Sequence, residues 1–115
     1  MRHIMSISPP LDRLHTKWLT KHPPYSVSKY GMTMMTLGFS DAFRANTLWP
    51  RKLYKTAATK RIERMTSKPV YKEALHPAIF AEAAFKLLCS DVSNKSILDS
   101  EVMTIPMKGV DDIFI

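Results

Sequence analysis

Two short apolar segments, each closed by proline, constrain the fold of this chain more than any other feature. The first, His3-Ile4-Met5-Ser6-Ile7-Ser8, runs into Pro9-Pro10. The second, Ala45-Asn46-Thr47-Leu48-Trp49, runs into Pro50. Proline has no N–H to give to a ladder, so each segment reads as a strand that stops there. A helical stretch separates them. Beyond the second, Arg51 to Lys72 permits a helix, with Ala57, Ala58, Ile62 and Met65 suitably spaced. Pro77 then opens a clearer amphipathic helix, at a first-turn position where proline is tolerated. Ile79, Phe80, Ala83, Ala84, Leu87 and Leu88 share one face of it. A third strand is expected within residues 96–104, best at Glu101-Val102-Met103-Thr104-Ile105, with Pro106 and Gly109 ending it. The order strand, helix, strand, helix, helix, strand implies an α/β fold with parallel strands and right-handed crossovers.

The helix between the first two strands is expected to begin near Tyr25 and to run to Phe43 or Arg44. Pro23 and Pro24 sit before or inside its first turn. Val27, Gly31, Met34, Met35, Gly38 and Ala42 form a stripe of apolar and small residues that reads as its buried face. Gly31 and Gly38 lower helix propensity, which a close approach of another backbone would explain. The stretch before it, Leu11 to Pro24, is polar and irregular, with one helical turn at Leu14, Trp18 and Leu19. His15 and His22 lack a third ligand or a carboxylate cluster and read as solvated, so no metal is expected.

At 115 residues the chain is expected to form one domain spanning residues 1–115. Cys89 is the single cysteine, which excludes an internal disulfide framework and points to a reducing compartment. No apolar run reaches the roughly 18 residues of a membrane span. Met1 to Ile4 lacks the apolar core of a secretory signal. The expectation is a soluble intracellular protein, cytoplasmic by default. A net charge of +7 permits anionic partners without requiring them. The basic run from Arg51 to Lys72 reads as a solvated face. A nucleic-acid surface is the competing reading, and it lacks interleaved aromatics and a known motif.

One pair carries chemistry. Tyr25 and Lys29 lie four residues apart, which places them one turn apart on one helix face. A cation beside a phenol favours its ionised form, so such a tyrosine can pass a proton near neutral pH. The same spacing also occurs on ordinary solvated helices.

With these parts in place, the sequence resembles the short-chain dehydrogenase/reductase family. A strand ends in Ser8, a helix carries Tyr25-Ser26-Val27-Ser28-Lys29, and a strand reads Asn46-Thr47-Leu48-Trp49-Pro50. The wording is most similar to the hydroxysteroid-dehydrogenase-like subgroup. It is similar in Ile7-Ser8-Pro9-Pro10-Leu11, in the tyrosine motif followed by Tyr30-Gly31-Met32, and in Thr56-Ala57-Ala58. The resemblance implies that Tyr25 is the general acid/base on a small carbonyl or alcohol substrate. It implies that Lys29 holds the nicotinamide ribose of NAD or NADP, and that Pro50 and Thr56 lie along the nicotinamide half. Ser8 would hydrogen-bond the substrate oxygen; a strand-end hydroxyl satisfying a turn is the alternative. Where most of the family has glycine after the proline, this chain has Arg51, although the subgroup is basic there too.

The family's glycine-rich phosphate turn has no counterpart here: Gly31, Gly38 and Gly109 are all elsewhere. The expected fold is therefore a partial Rossmann-type, doubly wound parallel sheet of about three strands with flanking helices, lacking the N-terminal half. Two functions follow. One is a fragment or split half of an NAD(P)-dependent oxidoreductase, expected to be inactive alone, that acts on this carbonyl or alcohol with a missing N-terminal half or a second copy as partner. The other is a non-catalytic derivative kept as an interaction partner.

Overall fold

A computed structural model describes residues 2–104. Strands β1 (His3–Ile7), β2 (Arg44–Trp49) and β3 (Lys95–Leu98) form one sheet in the order β1-β2-β3. Both pairings are parallel, with Ile7 opposite Leu48 and Leu48 opposite Ile97. The fold is thus α/β, with helices crossing between parallel strands. These are α1 (Thr16–Lys21), α2 (Pro23–Gly38), α3 (Ala57–Thr66), α4 (Val70–Glu73), α5 (Pro77–Cys89) and α6 (Asp99–Val102).

The two faces of the sheet have different chemistry. In parallel strands paired residues share a face, so register alone sorts them. The row Ile7, Leu48 and Ile97 lies on one face, where Leu48 and Ile97 pack with Ala83 and Leu87 of α5 and Val102 of α6. Met5, Phe80, Ala84, Cys89 and Val92 surround this core. The opposite row is Ser6, Thr47 and Ser96. Ser6 Oγ lies 2.5 Å from Thr36 Oγ1 of α2, and Thr47 Oγ1 lies 2.5 Å from Ser96 Oγ. Thr33 Oγ1 lies 2.8 Å from Ser8 Oγ and donates to the Pro9 carbonyl at 2.6 Å. Helix α2 therefore meets the sheet through a hydroxyl seam, in which the hydroxyls of Ser6, Ser8, Thr33, Thr36, Thr47 and Ser96 all find partners.

That seam corrects the expected face of α2. Its buried residues are Ser26, Tyr30, Thr33 and Thr36, again at helical spacing. Val27, Met34 and Met35 are 75%, 60% and 67% exposed, so the apolar stripe faces away from the sheet. A Cβ placed on Gly31 or Gly38 would meet nothing within 4 Å, so no backbone crowds them among the described residues. The helix also stops at Gly38 rather than Phe43, and a 3-10 turn at Phe39–Asp41 leads into β2. In α5, Ala83 and Leu87 are buried as expected, but Ile79 and Leu88 are 48% and 42% exposed.

The third strand is also corrected. It lies at Lys95–Leu98, and residues 101–102 belong to a helical turn. Val102 gives that segment its apolar character, and it is buried in the core from α6. Ile105, Pro106 and Gly109 lie outside the described residues.

Asn46 ties the strands together. It is fully buried on β2. Its Oδ1 accepts from Lys95 N at 3.1 Å, and its Nδ2 donates to the Val92 carbonyl at 2.8 Å. Those two contacts fix the amide orientation, so Nδ2 also donates to His3 Nε2, at 2.9 Å. His3 Nδ1, 3.2 Å from the Leu88 carbonyl, must then carry the ring's proton. The site suits a neutral imidazole, and burial lowers the His3 pKa below the ordinary 6.5.

Because the unfolded chain takes up the proton more readily, His3 contributes stability that is complete above about pH 6.5. That contribution is lost as pH falls through the lower folded value. Thermal melts between pH 8 and 5 should show a decline on the acid side that is smaller in His3→Gln, whose amide can keep both hydrogen bonds. Equal declines in the two proteins would contradict this assignment.

Candidate active site

Parallel strands place all their carboxyl ends on one edge of a sheet, and ligand sites of open α/β sheets gather there. Ile7, Trp49 and Leu98 end the three strands here. Beside the ends of β1 and β2 opens a cleft of about 350 Å³. Tyr25 and Lys29 line it from α2, and Trp49, Pro50, Arg51, Lys52 and Leu53 line it from β2 and the following loop. Pro9, Arg13, Trp18 and Tyr30 complete the lining.

Helix α2 begins with Pro23 and Pro24 at its first positions, which sets Tyr25 in the first turn and Lys29 one turn on. Tyr25 is 45% exposed, and its ring meets that of Trp18 edge-on, with centroids 6.1 Å apart. Lys29 is half-buried. Its Nζ donates to the Ile7 carbonyl at 3.1 Å and stands 5.8 Å from the centroid of the Trp49 ring. An ammonium has three protons to donate, and Lys29 uses one of them among the described residues. Lys29 therefore bridges α2, the end of β1 and the end of β2, with donors to spare. Tyr30 also lines the cleft; burial, and then the charge of Asp12, raise its pKa above the ordinary tyrosine value. It remains a neutral phenol at physiological pH.

The residues singled out in the sequence divide into two groups. Tyr25, Lys29 and Pro50 come together in the cleft. Ser8 is fully buried under it, its Oγ against Thr33 Oγ1, and is not part of the lining. Thr56 is also outside the lining: it caps α3, its Oγ1 accepting from Thr59 N at 3.2 Å while Thr59 Oγ1 accepts from Thr56 N. The aromatic walls, Trp18, Tyr30 and Trp49, were not singled out. Their only sequence signal is proximity to the tyrosine motif and to Pro50. Among the described residues no three His, Cys, Asp or Glu side chains gather as a metal site, and no helix is long and apolar enough to cross a membrane.

No protein-family model matches the chain. Hydroxysteroid dehydrogenase-like protein 2 of Xenopus laevis is 32% identical over 117 residues, covering 96% of this chain and 27% of the relative. The mouse protein of that name is 36% identical over 89 residues, covering 74% and 17%. A solved short-chain dehydrogenase from Mycobacterium thermoresistibile superposes with a TM-score of 0.70 at 32% identity, covering 89% of this chain and 38% of that one. A Xanthomonas campestris protein described as a dehydrogenase superposes with a TM-score of 0.73 at 28% identity, covering 89% and 39%. The chain thus spans well under half the length of these relatives.

Lys29→Met keeps the aliphatic stem but removes the bond to Ile7 and the cation over Trp49. It should cost about 0.5–1 kcal/mol in urea unfolding and change the Trp49 emission. Unaltered stability and emission would mean that Lys29 does not hold this corner.

Proposed function

We propose, for a chain related in sequence and fold to part of the short-chain dehydrogenases, that the cleft at the strand ends is the reaction half of an NAD(P)-dependent oxidoreductase acting on a small carbonyl or alcohol. One observation carries the reading: Tyr25 and Lys29 line one cleft, and Lys29 is anchored to the end of β1 with donors left over. The residues present fit the nicotinamide half of the cofactor. The Lys29 protons that make no hydrogen bond among the described residues suit a pair of ribose hydroxyls, and Trp49, Pro50 and Leu53 make the opposite wall partly apolar. The bound cofactor supplies or accepts the hydride.

The chain's own residues handle the proton. Tyr25 Oη gives a proton to the substrate oxygen during reduction and takes one during oxidation. Lys29 orients the ribose side of the cleft and keeps a positive charge near that oxygen. Pro50 ends β2 and turns the chain so that the 51–53 loop becomes the opposite wall. Ser8 reaches a substrate oxygen only if its contact with Thr33 opens. Thr56 supports the cofactor side indirectly, through the start of α3. With no glycine-rich turn in its sequence, this chain alone should bind NAD(H) or NADP(H) far more weakly than a complete domain.

The test joins this chain, by fusion or co-expression, to a glycine-rich nucleotide-binding half from a family member. Tyr25→Phe keeps the ring and removes the proton, so turnover should fall by about 10² to 10⁴ with little change in cofactor affinity. An active complemented enzyme with undiminished turnover in Tyr25→Phe ends the catalytic reading.

A second reading, a non-catalytic interaction partner, is favoured by the outward stripe of Val27, Met34 and Met35 on α2. An exposed apolar helix face invites association with a second copy or another chain. Sedimentation should then show concentration-dependent self-association that Met35→Glu weakens. Monomers at all concentrations for both proteins would remove this support.

A further inference from the structure

The 51–53 loop that walls the cleft is fastened from behind by a carboxylate outside the motif. Asp99, just after β3, is 6% exposed. A carboxylate withdrawn from water needs several hydrogen bonds to remain charged. Asp99 Oδ1 accepts from Arg51 N at 3.0 Å and from Ser100 N at 2.8 Å, and Oδ2 accepts from the Tyr54 hydroxyl. No cation pairs with it among the described residues. Two of its three donors come from Arg51 in the loop and from Tyr54, the residue that follows it.

Tyr54 is held on its other sides as well. Its ring meets Phe80 of α5 edge-on, with centroids 5.3 Å apart, and its carbonyl accepts from Thr59 Oγ1 at 2.9 Å. The flanking backbone bridges to Leu75: Leu75 N donates to the Leu53 carbonyl at 2.9 Å, and Lys55 N donates to the Leu75 carbonyl at 2.8 Å. Burial, followed by the bond to Asp99, holds the Tyr54 phenol well above the usual tyrosine range, so it stays a donor. The Arg51 amide is committed to Asp99 and is closed to a ligand. The Lys52 and Leu53 amides make no hydrogen bond among the described residues, which leaves them as the wall's free backbone donors.

We propose that Asp99 is a positioning residue of the cleft: through the Arg51 amide and the Tyr54 hydroxyl it fixes the Pro50–Leu53 wall opposite Tyr25 and Lys29. The proposal rests on the cleft's being the reaction site. It explains how the wall keeps its shape with arginine at position 51. Arg51 is exposed at the cleft, and its backbone amide is tied down by Asp99.

Amide hydrogen exchange on the full chain tests the fastening without needing turnover. Asp99→Asn and Tyr54→Phe should each speed exchange at the Arg51 amide by about 10-fold, the order expected for losing a charge-assisted hydrogen bond. Leu48 and Ile97 amides should keep their protection. Unchanged exchange at Arg51, or equal acceleration at Leu48 and Ile97, overturns the proposal. Kinetics of the complemented enzyme then test the link to the reaction. Both variants should raise the cofactor KM by about 10-fold and leave kcat within about twofold, because the wall makes binding contacts while Tyr25 is untouched. An unchanged KM beside a loosened wall also overturns it. Failure of the catalytic reading is seen separately, as undiminished turnover in Tyr25→Phe.

Discussion

Everything in this structure follows from the parallel pairing of β2 with a neighbour on each side. Parallel neighbours cannot be joined by tight turns, so each connection must cross the sheet, here through α2 and through α3 to α5. The same pairing aligns the strand ends and brings Ile7, Trp49 and the loop after Pro50 to one edge. Asn46 secures the arrangement from inside, since one buried amide contacts β1, the approach to β3 and the start of β3. Were that register to slip by one residue, Asn46 would exchange faces with its neighbours and lose all three partners.

The hydroxyl seam under α2 serves the cleft in turn. Short polar side chains let the helix lie close to the sheet, and their mutual bonds fix its rotation. Thr33 and Thr36 bond Ser8 and Ser6, so the preceding turn of the same helix presents Lys29 to the Ile7 carbonyl. A greasy interface would fill the same space with less rotational definition. The remaining polar oddity is Ser26 Oγ, buried beside Tyr25 in sequence and without a hydrogen-bond partner among the described residues.

Much of this was legible from the residues. Proline stops and segment order were enough for β1, β2 and the parallel α/β class, and the helix opened by Pro77 lies where its pattern places it. The side of α2 that packs was not legible. Periodicity marks a face as apolar, and burial was assigned to Val27, Met34 and Met35 on that basis, whereas bonded threonines and serines occupy the true interface. The third strand was misplaced because Val102 reads alike in a strand and in a buried helical turn. In the cleft, Tyr25 and Lys29 were legible through spacing and wording. Asp99 was not, because its importance lies in long-range contacts with Arg51 and Tyr54, which no local pattern encodes.

The central claim is that the corner formed by Tyr25, Lys29 and the 50–53 wall receives the nicotinamide half of a cofactor. A crystal structure of the chain joined to a complementary nucleotide-binding half, with NAD(H) or NADP(H) bound, tests it directly. The account predicts ribose hydroxyls within hydrogen-bond reach of Lys29 Nζ and the nicotinamide ring between Tyr25 and the Trp49–Leu53 wall. A cofactor seated away from this cleft, with Lys29 making no contact to it, would contradict the account.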